Sequence, residues 1–199
     1  MHEEAVHEGP QLRHRVCIET AECTYDARRP IQLPMIPCTS VEDVMGTMPE
    51  PVAEFLRGKR IAVAGVSREP RQAANAIYRK LRDCGYEAFP INPNASDVEG
   101  VRCYPDLGSV PGPIDRIVVA TRPEVALGLV RQGSECSVRR IWFHRSFGQG
   151  SVSAAAVREC RALGLQCIVG GCPLMYCEPV DFGHRCMRWW LRWVGRVPG

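Results

Sequence analysis

From Arg60 onward the chain alternates between short apolar runs without a polar face and longer stretches whose apolar residues recur every three to four positions. The first run, Ile61-Ala62-Val63-Ala64, mixes small and β-branched residues and predicts a parallel strand covered on both sides. Gly65 ends it with a turn. A helix follows over about 73–84, with Ala73, Ala76, Ile77, Leu81 and Cys84 on its apolar side, and Gly85 stops it. The spacing then predicts strands over 86–91, 101–104, 115–121, 139–144 and 166–169. Between them run a helix opening at Pro123 and continuing towards Gly133, and another capped by Ser151 or Ser153 and reaching about Leu163. Ahead of the first strand, Pro51 can open a short helix with Val52, Phe55 and Leu56 at helical spacing. Strands alternating with helices at these intervals predict an α/β fold, a doubly wound, mostly parallel sheet of about five to six strands joined by right-handed crossovers.

The two ends depart from that rhythm. Residues 1–48 hold Pro30, Pro34 and Pro37, scattered charges and three histidines without a sustained period, and read as an N-terminal extension. Within it, Thr39 with Glu42, or Ser40 with Asp43, makes a capping-box signal, and Cys17, Cys23, Cys38 and His14 match no common zinc spacing. Residues 49–172 form the main domain. Residues 173–199 form a helical tail capped by Asp181, with Phe182, Cys186, Trp189, Trp190 and Trp193 on a broad apolar face and Arg185, Arg188 and Arg192 on another. Gly195 and Pro198 stop it. The aromatic face is expected to pack against the sheet or against a second copy, which would make a homodimer.

Composition narrows the classes. A formal charge of +3 over 199 residues, without a basic cluster in the main body, argues against nucleic acid as the partner. No apolar stretch approaches the ~18 residues that span a bilayer, and the start lacks a signal-peptide pattern, so the expected location is cytoplasmic. Eleven cysteines make the chain cysteine-rich. They form no CxxC pair and no disulfide framework, and read mainly as reduced, packed thiols.

The candidate chemistry gathers at the strand ends. After Gly65, Ser67 can accept from the first amides of the following helix, whose terminus favours an anion, and a phosphate is the simplest occupant. Arg68 and Arg71 flank that turn and can add charge-assisted contacts. On this reading Gly65→Val abolishes binding, because the side chain would occupy the phosphate's approach and oppose the turn geometry. An NAD fingerprint would show three glycines and an acidic residue about 20 positions further on. Here the turn has Gly65 alone and the second strand ends in Asn92-Pro93. NADP remains as an alternative in which Arg68 meets a 2′-phosphate, although no Tyr-Lys or Ser-His-Asp set accompanies it. His144 ends one strand and Cys172 follows the last, so both should lie on the carboxyl edge, where Cys172 could form a mixed disulfide or accept an acyl group, with His144 lowering its pKa. Cys172, Cys177, His184 and Cys186 are the candidate ligands for a zinc or iron ion.

Taken together, Gly65-Val66-Ser67-Arg68-Glu69-Pro70, Asn75 to Leu81, Gly85-Tyr86, Pro90-Ile91-Asn92-Pro93, Gly100 and Tyr104-Pro105-Asp106-Leu107 resemble the stand-alone coenzyme A-binding domain proteins. The likeness extends through Pro123, Trp142 and the Gly164 region, over roughly residues 55–172. That family is similar in fold to the nucleotide-binding domain of the succinyl-CoA synthetase alpha subunit. The resemblance implies a Rossmann-like fold and a small-molecule partner, coenzyme A or an acyl-CoA, with no defined reaction. It implies that Gly65, Val66 and Ser67 hold the pyrophosphate, that Asn92 and Pro93 border the adenine and ribose, and that Thr121, Arg122 and Pro123 line the pantetheine path. The synthetase's phosphohistidine lies in a second domain for which this chain is too short. Ligase activity is therefore not expected, and a regulatory or scaffold module that docks a partner through the tail is the non-enzymatic alternative.

Overall fold

The computed structural model describes residues 48–146, 148–196 and 198. The capping-box and cysteine readings for the N-terminal extension lie outside them. Pro51 sits in the first turn of α1 (Glu50–Leu56), where its missing N–H costs nothing. The chain then passes through β1 (Arg60–Ala64), α2 (Ala73–Asp83), β2 (Glu87–Ile91) and a small hairpin of β3 (Asp97–Val98) and β4 (Val101–Arg102). It continues through β5 (Arg116–Val119), α3 (Pro123–Glu135), β6 (Arg140–Phe143), α4 (Ala154–Ala162) and β7 (Gln166–Val169). A single 3-10 turn, Pro173–Met175, leads to α5 (Phe182–Trp193).

Five strands pair in parallel in the order β2-β1-β5-β6-β7, with Ala62 beside Phe89 and Ile117, and Ile117 beside Ile141. This is the expected doubly wound α/β architecture. The direction of winding reverses between β1 and β5, and ligands in open sheets of this kind lie outside the carboxyl ends of the strands at that reversal. Alternate residues of β1 serve opposite faces, as the strand period demands. Ile61 and Val63 join Val52, Phe55, Ile77, Tyr78, Leu81 and Trp142 on one side. Ala62 and Ala64 join Ile117, Val119, Val130, Ile141 and Phe143 on the other.

Trp142 anchors the first side. Fully buried, it meets Phe55 edge-on at 5.3 Å, and its Nε1 donates to the Gly170 carbonyl at 2.9 Å.

One expectation about a helix face needs correcting. In α2 the apolar side is rotated from the predicted one. Ala73 is exposed, while Asn75 and Tyr78 are buried with Ala74, Ile77 and Leu81. An alanine gains little from burial, whereas Asn75 finds hydrogen-bond partners inside, which offset the cost of desolvating its amide.

In α5 the aromatic stripe does not pack on the sheet, the first of its two expected placements, and stays open to the second, a further copy of the chain. Phe182 is 81% exposed, Trp193 76% and Trp189 51%, and Leu191 is the buried residue of the helix. The inward orientation is held from the other side, where Arg188 Nη1 donates to the Met175 carbonyl at 3.2 Å and its guanidinium lies 5.7 Å from the Tyr176 ring centre. Among the described residues no helix is long and apolar enough to cross a membrane.

Replacing Trp142 with alanine removes a large core side chain and leaves the Gly170 carbonyl without its donor. A loss of about 3–5 kcal/mol of stability is expected. Urea unfolding of the variant checks it; a loss under 1 kcal/mol would contradict this account of the core.

Candidate nucleotide-binding site

The sheet reversal brings three loops to one edge. Gly65 leaves β1 at φ 101°, donates its N–H to the Ile91 carbonyl at 3.0 Å, and passes close beneath the end of β5. A Cβ on Gly65 would lie 2.4 Å from the Ala120 carbonyl oxygen, so no other residue fits without moving the backbone. The turn at positive φ is the expected need for glycine, and the neighbouring strand adds a second one. The absent side chain clears the neighbouring strand, and phosphate access is not needed to explain it.

Beyond Gly65 the chain does not enter the helix directly. α2 starts at Ala73, its cap residue Gln72 makes no side-chain cap bond, and residues 66–72 form a loop. Ser67 is therefore not the helix cap that its position predicts. Its Oγ accepts from the Glu69 N–H at 3.2 Å in a local turn, a habit of serine that competes with capping.

The loop is instead clasped by Asn75. Its Oδ1 accepts from the Ser67 N–H at 3.0 Å, and its Nδ2 donates to the Ser67 carbonyl and to Glu99 Oε1, each at 2.7 Å. Arg79 Nη1 meets the same Glu99 oxygen at 2.5 Å. Among the described residues the Val66 and Arg68 amides are left without a protein acceptor.

The second loop is tied to the first, since Asn92 Nδ2 donates to the Val66 carbonyl at 2.8 Å. Its Oδ1 accepts from the Asn94 N–H at 2.9 Å, which shapes the Asn92-Pro93-Asn94 turn. The third loop starts at Ala120, whose N–H donates to the Ala64 carbonyl at 3.0 Å, and Thr121 Cγ2 lies next to Gly65. Pro123 is in the first turn of α3, with Arg122 as its cap residue. The structure thus gathers Gly65, Val66, Ser67, Asn92 and Thr121 around one crevice. Arg68, Arg71, Pro93 and Arg122 are exposed on the same loops.

His144 and Cys172 follow β6 and β7 at the same carboxyl edge. His144 Nε2 is 3.0 Å from Ser146 Oγ. The expected activation of the thiol is not found. Burial, reinforced by the charge of His184, lowers the His144 pKa to about 4, while burial raises that of Cys172 to about 11. Both groups rest neutral, with a thiolate fraction of about one in ten thousand at pH 7.

The four metal candidates are not assembled either. His184 Nδ1 is engaged by Asp181 Oδ2 at 2.6 Å at the start of α5, Cys186 is exposed, and burial raises the Cys177 pKa to about 12. Among the described residues no three His, Cys, Asp or Glu side chains cluster as a metal site. Three residues of the edge, Asn75, Glu99 and Ser146, escape a reading of the sequence for chemistry. Asn75 belongs to the family pattern, and Ser146 sits in the polar, glycine-rich loop after β6.

The larger cavity, about 390 Å³ and lined by Glu50, Glu54, Arg140 and Gln166, opens at the opposite, amino edge of the sheet. A smaller one of about 100 Å³ lies at the carboxyl edge, beyond β6 and β7.

Fold and crevice define a doubly wound, Rossmann-like α/β domain with an open carboxyl edge. Within that class the chain belongs to the CoA binding domain family, whose model matches residues 59–178. It is 31% identical over 116 residues to the uncharacterized protein YneT of Bacillus subtilis, a span of 58% of this chain and 83% of that protein. It is 28% identical over 83 residues to the alpha subunit of an ADP-forming acetate–CoA ligase of Pyrococcus furiosus, but that span is 41% of this chain and only 18% of the subunit. Among solved structures, a hypothetical protein from Pyrococcus horikoshii superimposes with a TM-score of 0.61 at 26% identity, over 68% of this chain and 94% of that one.

The site geometry carries two expected outcomes. Gly65→Ala is expected to cost more than about 2 kcal/mol in the absence of any ligand, because of strained φ and contact with Ala120. Thermal and urea unfolding of the apo protein measure this, and an unchanged midpoint would refute it. For His144 the folded pKa lies below the unfolded one, so its contribution to stability is complete above pH 6.5 and is lost as pH falls towards 4. At ~1.4 kcal/mol per pH decade the loss is about 3 kcal/mol by pH 4. Urea unfolding from pH 7 to 4 should show a steeper decline in the native protein than in His144→Asn; parallel declines would count against it.

Proposed function

We propose that this chain binds coenzyme A or an acyl-CoA across the carboxyl edge of its sheet, through residues 49–172. The observation that carries this reading is the union of three hydrogen-bonded loops at the β1/β5 reversal with membership of the CoA binding domain family. The Val66 and Arg68 amides, with Arg68 and Arg71 above them, receive the pyrophosphate. Asn92 and Pro93 border the adenine and ribose. Thr121, Arg122 and Pro123 line the path of the pantetheine arm. The chemistry of this set favours the anionic cofactor, since exposed guanidinium groups and unpaired amides attract phosphate oxygens and none of these residues opposes them with negative charge. The NADP alternative draws no support from the family match. The acetate–CoA ligase relative corresponds over a small part of its length, so no ligase reaction is assigned.

A second reading, an interaction module, is favoured by the exposed Phe182, Trp189 and Trp193 on α5. Such a face suits a protein partner or a second copy, and it is compatible with cofactor binding at the sheet edge.

Titration calorimetry with coenzyme A is the direct test. Binding to the native protein is expected, and the double variant Arg68→Gln/Arg71→Gln should bind about 10- to 100-fold more weakly with an unchanged melting temperature. Absence of binding at millimolar coenzyme A, or preferential binding of NADP, would defeat the proposal. Native mass spectrometry of the same samples reads the oligomeric state.

A further inference from the structure

The small cavity at the carboxyl edge has an unusual construction. One wall comes from the loop after β6 and the turn after β7, through Arg145, Ser146 and Gly171. The other comes from the tail, through Trp190, Leu191 and Arg196, all beyond the residue 178 at which the family match ends. Two glycines make the construction fit. A Cβ on Gly170 would lie 3.2 Å from Arg145 Nη2, and one on Gly171 would lie 2.7 Å from Pro198 Cγ. Gly170 therefore gives room to a guanidinium, and Gly171 lets the returning tail close down beside the sheet. The Arg145 N–H donates to the Gly171 carbonyl at 2.9 Å, and the Arg196 N–H to the Leu191 carbonyl at 2.7 Å, so both arginines are held at the backbone.

Their side chains are a different matter. Among the described residues neither guanidinium has a carboxylate or carbonyl partner, and no acidic residue lines the cavity. The hydroxyl of Ser146, steadied by His144, adds a donor or acceptor to the same wall. Two unneutralised cations and a hydroxyl around about 100 Å³ suit a small anion. That space holds about three waters' worth of liquid, which limits the occupant to a few heavy atoms.

Position says which anion. From β1 to β7 there are three strand steps at about 4.8 Å, or about 14 Å. The arm of coenzyme A between its pyrophosphate and its sulfur has about as many bonds as four extended residues, and spans about 14 Å. With the pyrophosphate beyond Gly65, the arm's far end arrives at this cavity.

We infer that the cavity between the Arg145–Ser146 loop and the Arg196 end of the tail receives the terminal carboxylate of a short acyl group carried on coenzyme A. The preferred ligand class is then a dicarboxylic acyl thioester of the malonyl or succinyl size. This rests on the coenzyme A reading above, with the thioester lying near the ends of β6 and β7.

The test compares coenzyme A, acetyl-CoA and succinyl-CoA by titration calorimetry on the native protein, Arg196→Met and Arg196→Lys. Arg196 is exposed, so neither substitution disturbs the core. Succinyl-CoA is expected to bind at least about tenfold more tightly than acetyl-CoA. Arg196→Met should erase that margin and leave coenzyme A and acetyl-CoA unchanged, while Arg196→Lys retains part of it. Equal binding of the two thioesters by native protein overturns the inference and leaves the cofactor reading intact. An Arg196→Met loss that is the same for coenzyme A itself also overturns it, since the cavity would then hold one of the cofactor's own phosphates. Free succinate that binds as tightly as succinyl-CoA would mark a general anion site and overturn it too. Failure of all three coenzyme A compounds to bind defeats the cofactor reading and this inference with it.

Discussion

The close approach of Gly65 to the Ala120 carbonyl is the constraint on which the carboxyl edge of the sheet depends. β1 and β5 are neighbours in the sheet, yet their continuing chains must diverge, one into the loop before α2 and the other into α3. The divergence opens the crevice. It requires the first chain to turn immediately at the strand end, at a positive φ and with no Cβ facing the neighbouring carbonyl. Only glycine satisfies both demands at low cost. A shape that suits a ligand is thus first a solution to the problem of where two parallel strands go when their sheet reverses its winding.

Past that turn, polar side chains hold the loop. Asn75 satisfies both backbone groups of Ser67 from inside α2, and Asn92 satisfies the Val66 carbonyl from the end of β2. These bonds span eight and twenty-six positions in the chain. They fix the loop without consuming the Val66 and Arg68 amides. Buried polar groups of this kind are stable only when fully paired, and Asn75 meets that condition by also donating to Glu99, whose charge is shared with Arg79. The loop is thereby set before any ligand arrives, which limits the ordering cost of binding.

The same contrast explains what the sequence disclosed. Strands such as Ile61–Ala64 and Ile117–Val119 are buried on both faces, so their continuous apolar runs announce them, and the turn residues mark where they end. β3 escapes notice because two residues carry no period. The face of α2 is misread because Asn75 is buried for the sake of Ser67 and Glu99, partners no local pattern can reveal. The crevice residues Gly65, Asn92 and Thr121 are legible through strand ends and family likeness. The failure at His144 and Cys172 is of another kind: their positions at the edge are right, but a histidine at the same edge does not activate a thiol when burial favours the neutral form of both.

The tail shows how an amphipathic pattern can be legible while the side it turns inward is not. Counting hydrophobic residues would direct Phe182, Trp189 and Trp193 inward, yet the helix turns Leu191 to the core and leaves the aromatic rings outside. The inward side is narrow, and it has specific anchors: Leu191 in the core, Arg188 against the Met175 carbonyl and the Tyr176 ring, and Pro198 over Gly171. A wide tryptophan would not fit where Leu191 does without displacing these contacts, because cores packed to crystal density respond to volume as well as to polarity. The result places the tail against the far end of the carboxyl edge, with Arg196 beside the loops of β6 and β7. The domain common to the family thus builds the floor of the edge, and the segment beyond residue 178 determines what stands at its end.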